Sequence, residues 1–335
     1  MTKTDRSTKC VHGYRHESYI SSTSLSQTIH EILKKNQTRI EEFFLLGFQN
    51  LGHFRVPFFI LVALLYASTV AANLSIFSLI LNSSQKMKSP MYVFLSHLSL
   101  SDIFISSSVA PKTLQVILLG NISVPFLECI AQLYLYGVAT NLECCLLTVM
   151  SYDRYLAICR PLRYMSIMNA KLLNGLLTYS WMMGFLLPLI VLQLDFCGPN
   201  VIDHFFCDMI PLLELSCTDQ TLVNIEISII TLFVGLLQML FIVITYSLIF
   251  YSIFHMSSKA GKEKAFSTCS SHLAVVCAFY GTLIILYLSP ARGNSFSLNK
   301  MLSLINTVVT PFFNPIIYTL RNREIRMALK VLLCC

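Results

Sequence analysis

Asp102 and Glu143 each stand inside a long apolar run, where an ionisable side chain is costly and marks a functional position. Together with Asn73 and Asn314, which fall in two further apolar runs, these carboxylates could chelate a small hard cation such as sodium through oxygen ligands. The alternative is a neutral hydrogen-bonded cluster, because burial and a neighbouring like charge both disfavour the ionised form. A hydrolytic carboxylate pair is disfavoured, since no GxSxG, HExxH or phosphate-loop pattern supplies a nucleophile or metal ligands. His204, Cys207 and Asp208 have the softness for copper or zinc. A disulfide at Cys207 would remove its thiolate, so the structural reading is preferred and no metal site is assigned there.

The elements that must hold these groups are dictated by composition. Of 335 residues, 55% are apolar and only 12% charged, with a mean hydropathy of +0.66, so the chain needs a bilayer as second solvent. Uncharged or nearly uncharged segments run over 56–81, 91–116, 127–152, 172–194, 222–254, 266–288 and 301–320. They are too long and too continuously apolar for barrel strands, which predicts an all-α integral membrane protein with a seven-helix transmembrane bundle. Residues 1–55 carry charges throughout, so no removable signal peptide is expected.

The net charge of +7 would suggest nucleic acid in a soluble protein, but here it reads as topology. Lys86 and Lys88, then Arg154, Arg160, Arg163 and Lys171, then Lys259, Lys262 and Lys264, then Arg321, Arg323, Arg326 and Lys330 all fall on one side. The opposite loops hold only Lys112, Arg292 and Lys300. That bias puts the tail in the cytoplasm and the amino terminus outside. The basic residues of 1–55 pull the other way, but most lie too far from the first span to count strongly. The organisation is an extracellular segment 1–55, a membrane domain 56–320 and a cytoplasmic tail 321–335.

On the outer face, segment 195–221 contains five acidic residues and no Lys or Arg. Cys197, Cys207 and Cys217 lie in it, and Cys129 opens the third span on the same side. Four cysteines on an oxidising face allow three connectivities. One of them, Cys129–Cys207 with Cys197–Cys217, ties the loop's centre to the third helix and closes a smaller ring beside it. Asn36 heads a glycosylation sequon in a polar stretch on the expected outer side. Cys334 and Cys335 follow a short amphipathic stretch after the seventh span and are candidates for palmitoylation.

Several strings carry a family resemblance. Ser151-Tyr152-Asp153-Arg154-Tyr155-Leu156-Ala157-Ile158-Cys159 and Asn314-Pro315-Ile316-Ile317-Tyr318 resemble the signatures of rhodopsin-like G-protein-coupled receptors. Pro90-Met91-Tyr92-Val93-Phe94-Leu95-Ser96, Lys264-Ala265-Phe266-Ser267-Thr268-Cys269-Ser270-Ser271-His272, His204-Phe205-Phe206-Cys207-Asp208 and Tyr318-Thr319-Leu320-Arg321-Asn322 narrow the resemblance to the odorant receptor branch. It covers roughly residues 36 to 330. Val93, Ser151, Arg160 and Thr319 are mild departures from the family pattern, and residues 1 to about 33 are an atypical extension.

The resemblance implies a plasma-membrane receptor, not an enzyme, whose partners are a small odorant, a stimulatory olfactory-type G protein raising cyclic AMP, and membrane lipid. Asp153, Arg154 and Tyr155, with Tyr246, Asn314, Pro315 and Tyr318, are then the coupling and switch residues. Arg154 can exchange partners at a cytoplasmic helix end, and Pro315 permits a kink. The ligand site is expected among Tyr136, Gly137, Thr140 and Asn141 of helix 3, Ile230 and Val234 of helix 5, Tyr280, Leu283, Ile284 and Tyr287 of helix 6, and Thr307 of helix 7. This mixture of apolar wall and few hydroxyls or amides suits small neutral molecules. No Asp occupies that part of helix 3, which disfavours a cationic amine, and helix 7 offers no Lys within 301–320 for a retinal Schiff base. Rival readings are a receptor for a lipid or peptide, and a seven-helix channel or proton transporter built on Asp102 and Glu143.

Overall fold

The computed structural model describes residues 40–49, 51–82, 89–196, 199–218, 225, 229, 235–288, 295–321 and 325–327. Among them seven helices are long and apolar enough to cross a membrane. These are α1 (Arg55–Asn82), α2 (Pro90–Leu119), α3 (Phe126–Cys159), α4 (Ala170–Leu186), α5 (Leu237–His255) and α6 (Lys259–Leu288). The seventh, α7, runs through Ser295–Leu304, a π-helical turn at Ile305–Val309 and Thr310–Arg321. In lipid the backbone has no water to bond to, so each apolar segment closes its hydrogen bonds internally as helix.

Local chemistry sets several ends. Pro90 occupies the first turn of α2, where its missing N–H has no helical partner to lose. The Asn169 side chain caps α4 by accepting from Leu172 N at 3.0 Å. Pro188 cannot donate to the ladder, and the expected helix 172–194 tightens into a 3-10 stretch at Leu187–Gln193. Of the expected short helix after the seventh span, Ile325–Met327 are helical, with Ile325 buried in the core and Arg326 and Met327 exposed. Cys334, Cys335 and Asn36 lie outside the described residues.

Helix α3 packs against α2, α4, α5 and α6, and α7 packs against α1, α2 and α6. The most apolar stretches of α2, α3 and α7 are each 61% buried against 22% for α1, so those three form the centre and α1 a peripheral wall. Leu64, Leu74, Val243, Ile244 and Phe254 stay exposed around the bundle, an apolar belt suited to hydrocarbon.

The outer end carries structure that hydropathy did not predict. Strands β1 (Glu42–Leu45), β2 (Ile122–Pro125) and β3 (Val201–Ile202) form a three-stranded sheet in the order β2-β1-β3. β1 pairs antiparallel with β2, Phe43 opposite Val124, and parallel with β3, Leu45 opposite Ile202. Phe43 and Leu45 point inward and join Val124, Phe205 and Phe206 in an outer apolar cluster. Strands this short leave almost no alternation to read, and their partners are remote in sequence. A short helix at Met209–Leu215 follows, capped by the Asp208 carboxylate on Met209 N at 2.8 Å.

Two ties fasten this cap to the bundle. Cys129 at the start of α3 is bonded to Cys207, with Cα atoms 5.5 Å apart. Lys300 on α7, only 8% exposed, donates to Asp203 Oδ1 at 2.5 Å and to Gly47 O at 2.9 Å. Cys217 is also disulfide-bonded, and Cys197, its expected partner, lies outside the described residues.

The Cys129–Cys207 bridge joins residues 78 apart in sequence, a closure that contributes about 4 kcal/mol. Cys129→Ser is therefore expected to lose most surface staining of an epitope-tagged receptor, while Cys277→Ser at an exposed free thiol retains it.

Candidate functional site

Midway along the bundle, polar side chains of α2, α3 and α7 meet, and a fourth, from α1, reaches the α7 backbone. Asn314 of α7 donates from Nδ2 to Asp102 Oδ1 of α2 at 2.9 Å and to Glu143 Oε1 of α3 at 3.3 Å. Asn73 of α1 donates to Thr69 O and to Pro311 O of α7, each at 3.1 Å. All four side chains are buried, and Asp102 Oδ2 and Asn73 Oδ1 have no hydrogen-bond partner. The sequence reading grouped these four residues from helical depth alone.

Toward the cytoplasm, Arg154 pairs with Asp153, Nη2 lying 2.7 Å and Nε 3.2 Å from the same Oδ2. The other carboxylate oxygen accepts from Tyr164 at 2.6 Å. Tyr155 packs on the edge of the inner core. Tyr246 of α5 lies 2.7 Å from His272 Nδ1 of α6, and His272 Nε2 lies 3.1 Å from Leu147 O of α3. A carbonyl only accepts, so Nε2 carries the proton and Nδ1 accepts from the tyrosine hydroxyl. One imidazole thus ties α5, α6 and α3 together. Tyr318 is buried with its hydroxyl unpartnered, one turn beyond Pro315 inside α7. Tyr164 and His272 were assigned no role from sequence; the signal for His272 was a lone imidazole in an otherwise uncharged span.

In the outer half, Tyr136 packs edge-on to Phe206 of the cap at 5.3 Å between ring centres. Its hydroxyl lies 3.4 Å from Asn306 Nδ2 of α7, and Asn306 Oδ1 lies 3.2 Å from the Thr282 hydroxyl of α6. Asn306 was not singled out from sequence; the hydroxyl of its neighbour Thr307 bonds to Ser303 O at 2.7 Å within its own helix. The Thr140 hydroxyl is buried with no partner. Asn141 bonds back to Gly137 O at 2.8 Å, and Gly137 faces Pro188, where an added Cβ would stand 3.0 Å from the ring. Tyr280 is buried, and Leu283 and Ile284 pack around the inner core. Ile230, Val234 and the side chain of Tyr287 lie outside the described residues.

His204 lies beneath the cap, its ring 4.5 Å from that of Phe205 and 4.8 Å from that of Phe206. Burial, reinforced by the charge of Lys300, pushes its pKa down to about 3. Among the described residues no group of three or more His, Cys, Asp or Glu is placed to hold a metal ion.

A family model described as "Olfactory receptor" matches residues 62–335. The chain is 41% identical over 308 residues to olfactory receptor 11A1 of Homo sapiens, covering 91% of this chain and 97% of that one. It is 43% identical over 305 residues to olfactory receptor 1468 of Rattus norvegicus, with 90% and 97% covered. The crystal structure of squid rhodopsin superposes with a TM-score of 0.67 at 15% identity, over 82% of this chain and 81% of that one, a likeness of fold.

An unfolded imidazole takes up a proton near 6.5, whereas folded His204 resists until about 3. The stability this residue contributes is therefore complete above about pH 6.5 and is lost as pH falls toward about 3, at up to about 1.4 kcal/mol per pH unit. The melting temperature of the purified receptor is expected to drop between about pH 7 and pH 5, and less so in His204→Phe.

Proposed function

The chain belongs to the olfactory receptor family, and from that premise we propose that it binds small, mostly neutral volatile molecules between α3, α5, α6 and α7 and activates a stimulatory, olfactory-type G protein that raises cyclic AMP. Membership makes it a multi-pass plasma-membrane receptor and not an enzyme. The observation that most supports the mechanism is the stacking of two polar ties that share α3 and α6. Tyr136, Asn306 and Thr282 link α3, α7 and α6 in the outer half, and Tyr246, His272 and Leu147 link α5, α6 and α3 in the inner half.

A ligand that rearranges the outer tie shifts α6 against α3, and the inner tie must break for α6 to move. Arg154, held by Asp153 beside it, is then able to exchange that partner for the G protein. The basic residues at the start of α6 and in the tail suit anionic lipid and the same partner. An odorant of about ten heavy atoms at roughly −0.5 kcal/mol each binds with about −5 kcal/mol, a dissociation constant on the order of 100 μM.

The mid-membrane cluster fits a bound sodium ion. Asp102 Oδ2 and Asn73 Oδ1 are buried oxygens without hydrogen-bond partners, and Glu143 adds a second carboxylate. Oxygen donors of this kind are what a hard monovalent cation requires, and Asn314 would hold the carboxylates in place.

The test is expression with a trafficking aid, an odorant panel, and parallel recording of cyclic AMP and membrane current. Cyclic AMP is expected to rise, and Arg154→Ala to lower that response by about tenfold or more at unchanged surface level. A current without cyclic AMP would favour the channel reading instead. Replacing external sodium by choline is expected to shift odorant potency in the native receptor and not in Asp102→Asn.

A further inference from the structure

A groove of about 660 Å³ runs between α2 and α4, lined by His97 of α2 and, on α4, by Asn174, Leu177, Thr178, Trp181 and Phe185 among others. Asn174, Thr178 and Phe185 are exposed, so the groove opens on the outside of the bundle, toward hydrocarbon. From Asn174 to Phe185 it follows α4 for about 16 Å, close to the depth of one leaflet. Its lower end lies near the start of α4, on the cytoplasmic side, where Lys171 is exposed.

The polar side chains of this groove are donors without acceptors. Trp181 donates from its indole Nε1 to His97 Nδ1 at 3.2 Å. An indole only donates, so Nδ1 accepts, the ring is neutral and its proton sits on Nε2. Among the described residues nothing accepts from His97 Nε2, and nothing bonds to the side chains of Lys171, Asn174 or Thr178. Lys171, Asn174 and Thr178 are spaced by three and then four residues, so they share one face of α4 over about 10 Å. A hydrocarbon solvent cannot satisfy such groups, and only a molecule lying along the groove with acceptor oxygens of its own can do so.

We propose that this groove holds an anionic glycerophospholipid of the inner leaflet, its headgroup on Lys171, its ester carbonyls on Asn174, Thr178 and His97, and an acyl chain along Leu177, Trp181 and Phe185. The order of groups matches. From the surface inward the lipid presents charge, then two acceptor carbonyls, then hydrocarbon, and α4 presents a cation, then an amide and a hydroxyl, then apolar and aromatic side chains. The single hydroxyl of a sterol meets one of these donors and leaves the rest unmatched. Because Trp181 and His97 join α4 to α2, a lipid seated there bears on the packing of two spans and not on one exposed helix face.

Trp181 is the only tryptophan in the chain, so its fluorescence reports the groove directly. The purified full chain is reconstituted in vesicles of dioleoylphosphatidylcholine, to which phosphatidylserine with brominated acyl chains, a contact quencher of indole, is added at rising mole fraction. Half-maximal quenching is expected at a mole fraction about fivefold lower than for brominated phosphatidylcholine, the effect of one lysine at the surface, and Lys171→Gln is expected to remove that difference. Unbrominated phosphatidylserine is expected to restore the fluorescence at a mole fraction about fivefold lower than its diether analogue, which lacks the carbonyls, and Asn174→Leu with Thr178→Val to make the two equal. If that double variant does not fold, the ester and ether comparison in the native chain still decides. Equal quenching by the two brominated lipids, a preference undiminished in Lys171→Gln, or equal competition by ester and ether overturns the proposal. A lower midpoint for dibromocholesterol than for brominated phosphatidylserine overturns it in favour of a sterol.

Discussion

A hydrocarbon interior offers no water, so each polar group at that depth must find its partner on another helix or on its own backbone. In this protein that requirement fixes α7. Asn314 can meet two carboxylates only if α7 lies against α2 and α3 together, and Asn73 reaches Pro311 O only if α1 closes from the other side. Ser101 of α2 donating to Ala139 O of α3 sets the register of the neighbouring pair at 2.8 Å. Apolar packing supplies most of the contact area, but it is non-directional, and these hydrogen bonds decide which face each helix turns inward.

The two ends of the bundle are held by different means. The outer end is stapled covalently through Cys129–Cys207, closed by a short sheet, and pinned to α7 by Lys300 on Asp203 and Gly47 O. The inner end is held by exchangeable contacts, the Asp153 pair with Arg154 and the imidazole bridge from Tyr246 to Leu147. A covalent tie at one end and exchangeable contacts at the other leave the inner helix ends the freer of the two to shift. Tyr136 touches both regimes, packing on Phe206 of the cap and facing Asn306 below it.

Much of the site was legible in the chain because membrane burial makes polar residues rare and therefore informative. Asp102, Glu143, Asn73 and Asn314 stood out against apolar surroundings; Asn314 bonds both carboxylates, while Asn73 bonds the backbone of α7 at Pro311. Where polar residues are common the signal vanished. β1 lies in a charged segment that gave no sign of a strand, and Asn306 stood next to Thr307, with no local pattern to say which of them faces the neighbouring helices. Tyr164, which shares Asp153 with Arg154, was one tyrosine among fifteen.

By itself the sequence determined the solvent, the seven spans, their orientation by positive charge, and through its motifs the family. Those properties follow from local composition and spacing, which the bilayer reads segment by segment. Only the tertiary structure decided that residues 199–216 and β1 close over the bundle together and that the π-turn aims Asn306 at α3 and α6. It alone assigned His272 as the bridge between three helices. Each of these depends on which remote backbone atom a side chain can reach, a distance set by packing and not by position in the chain.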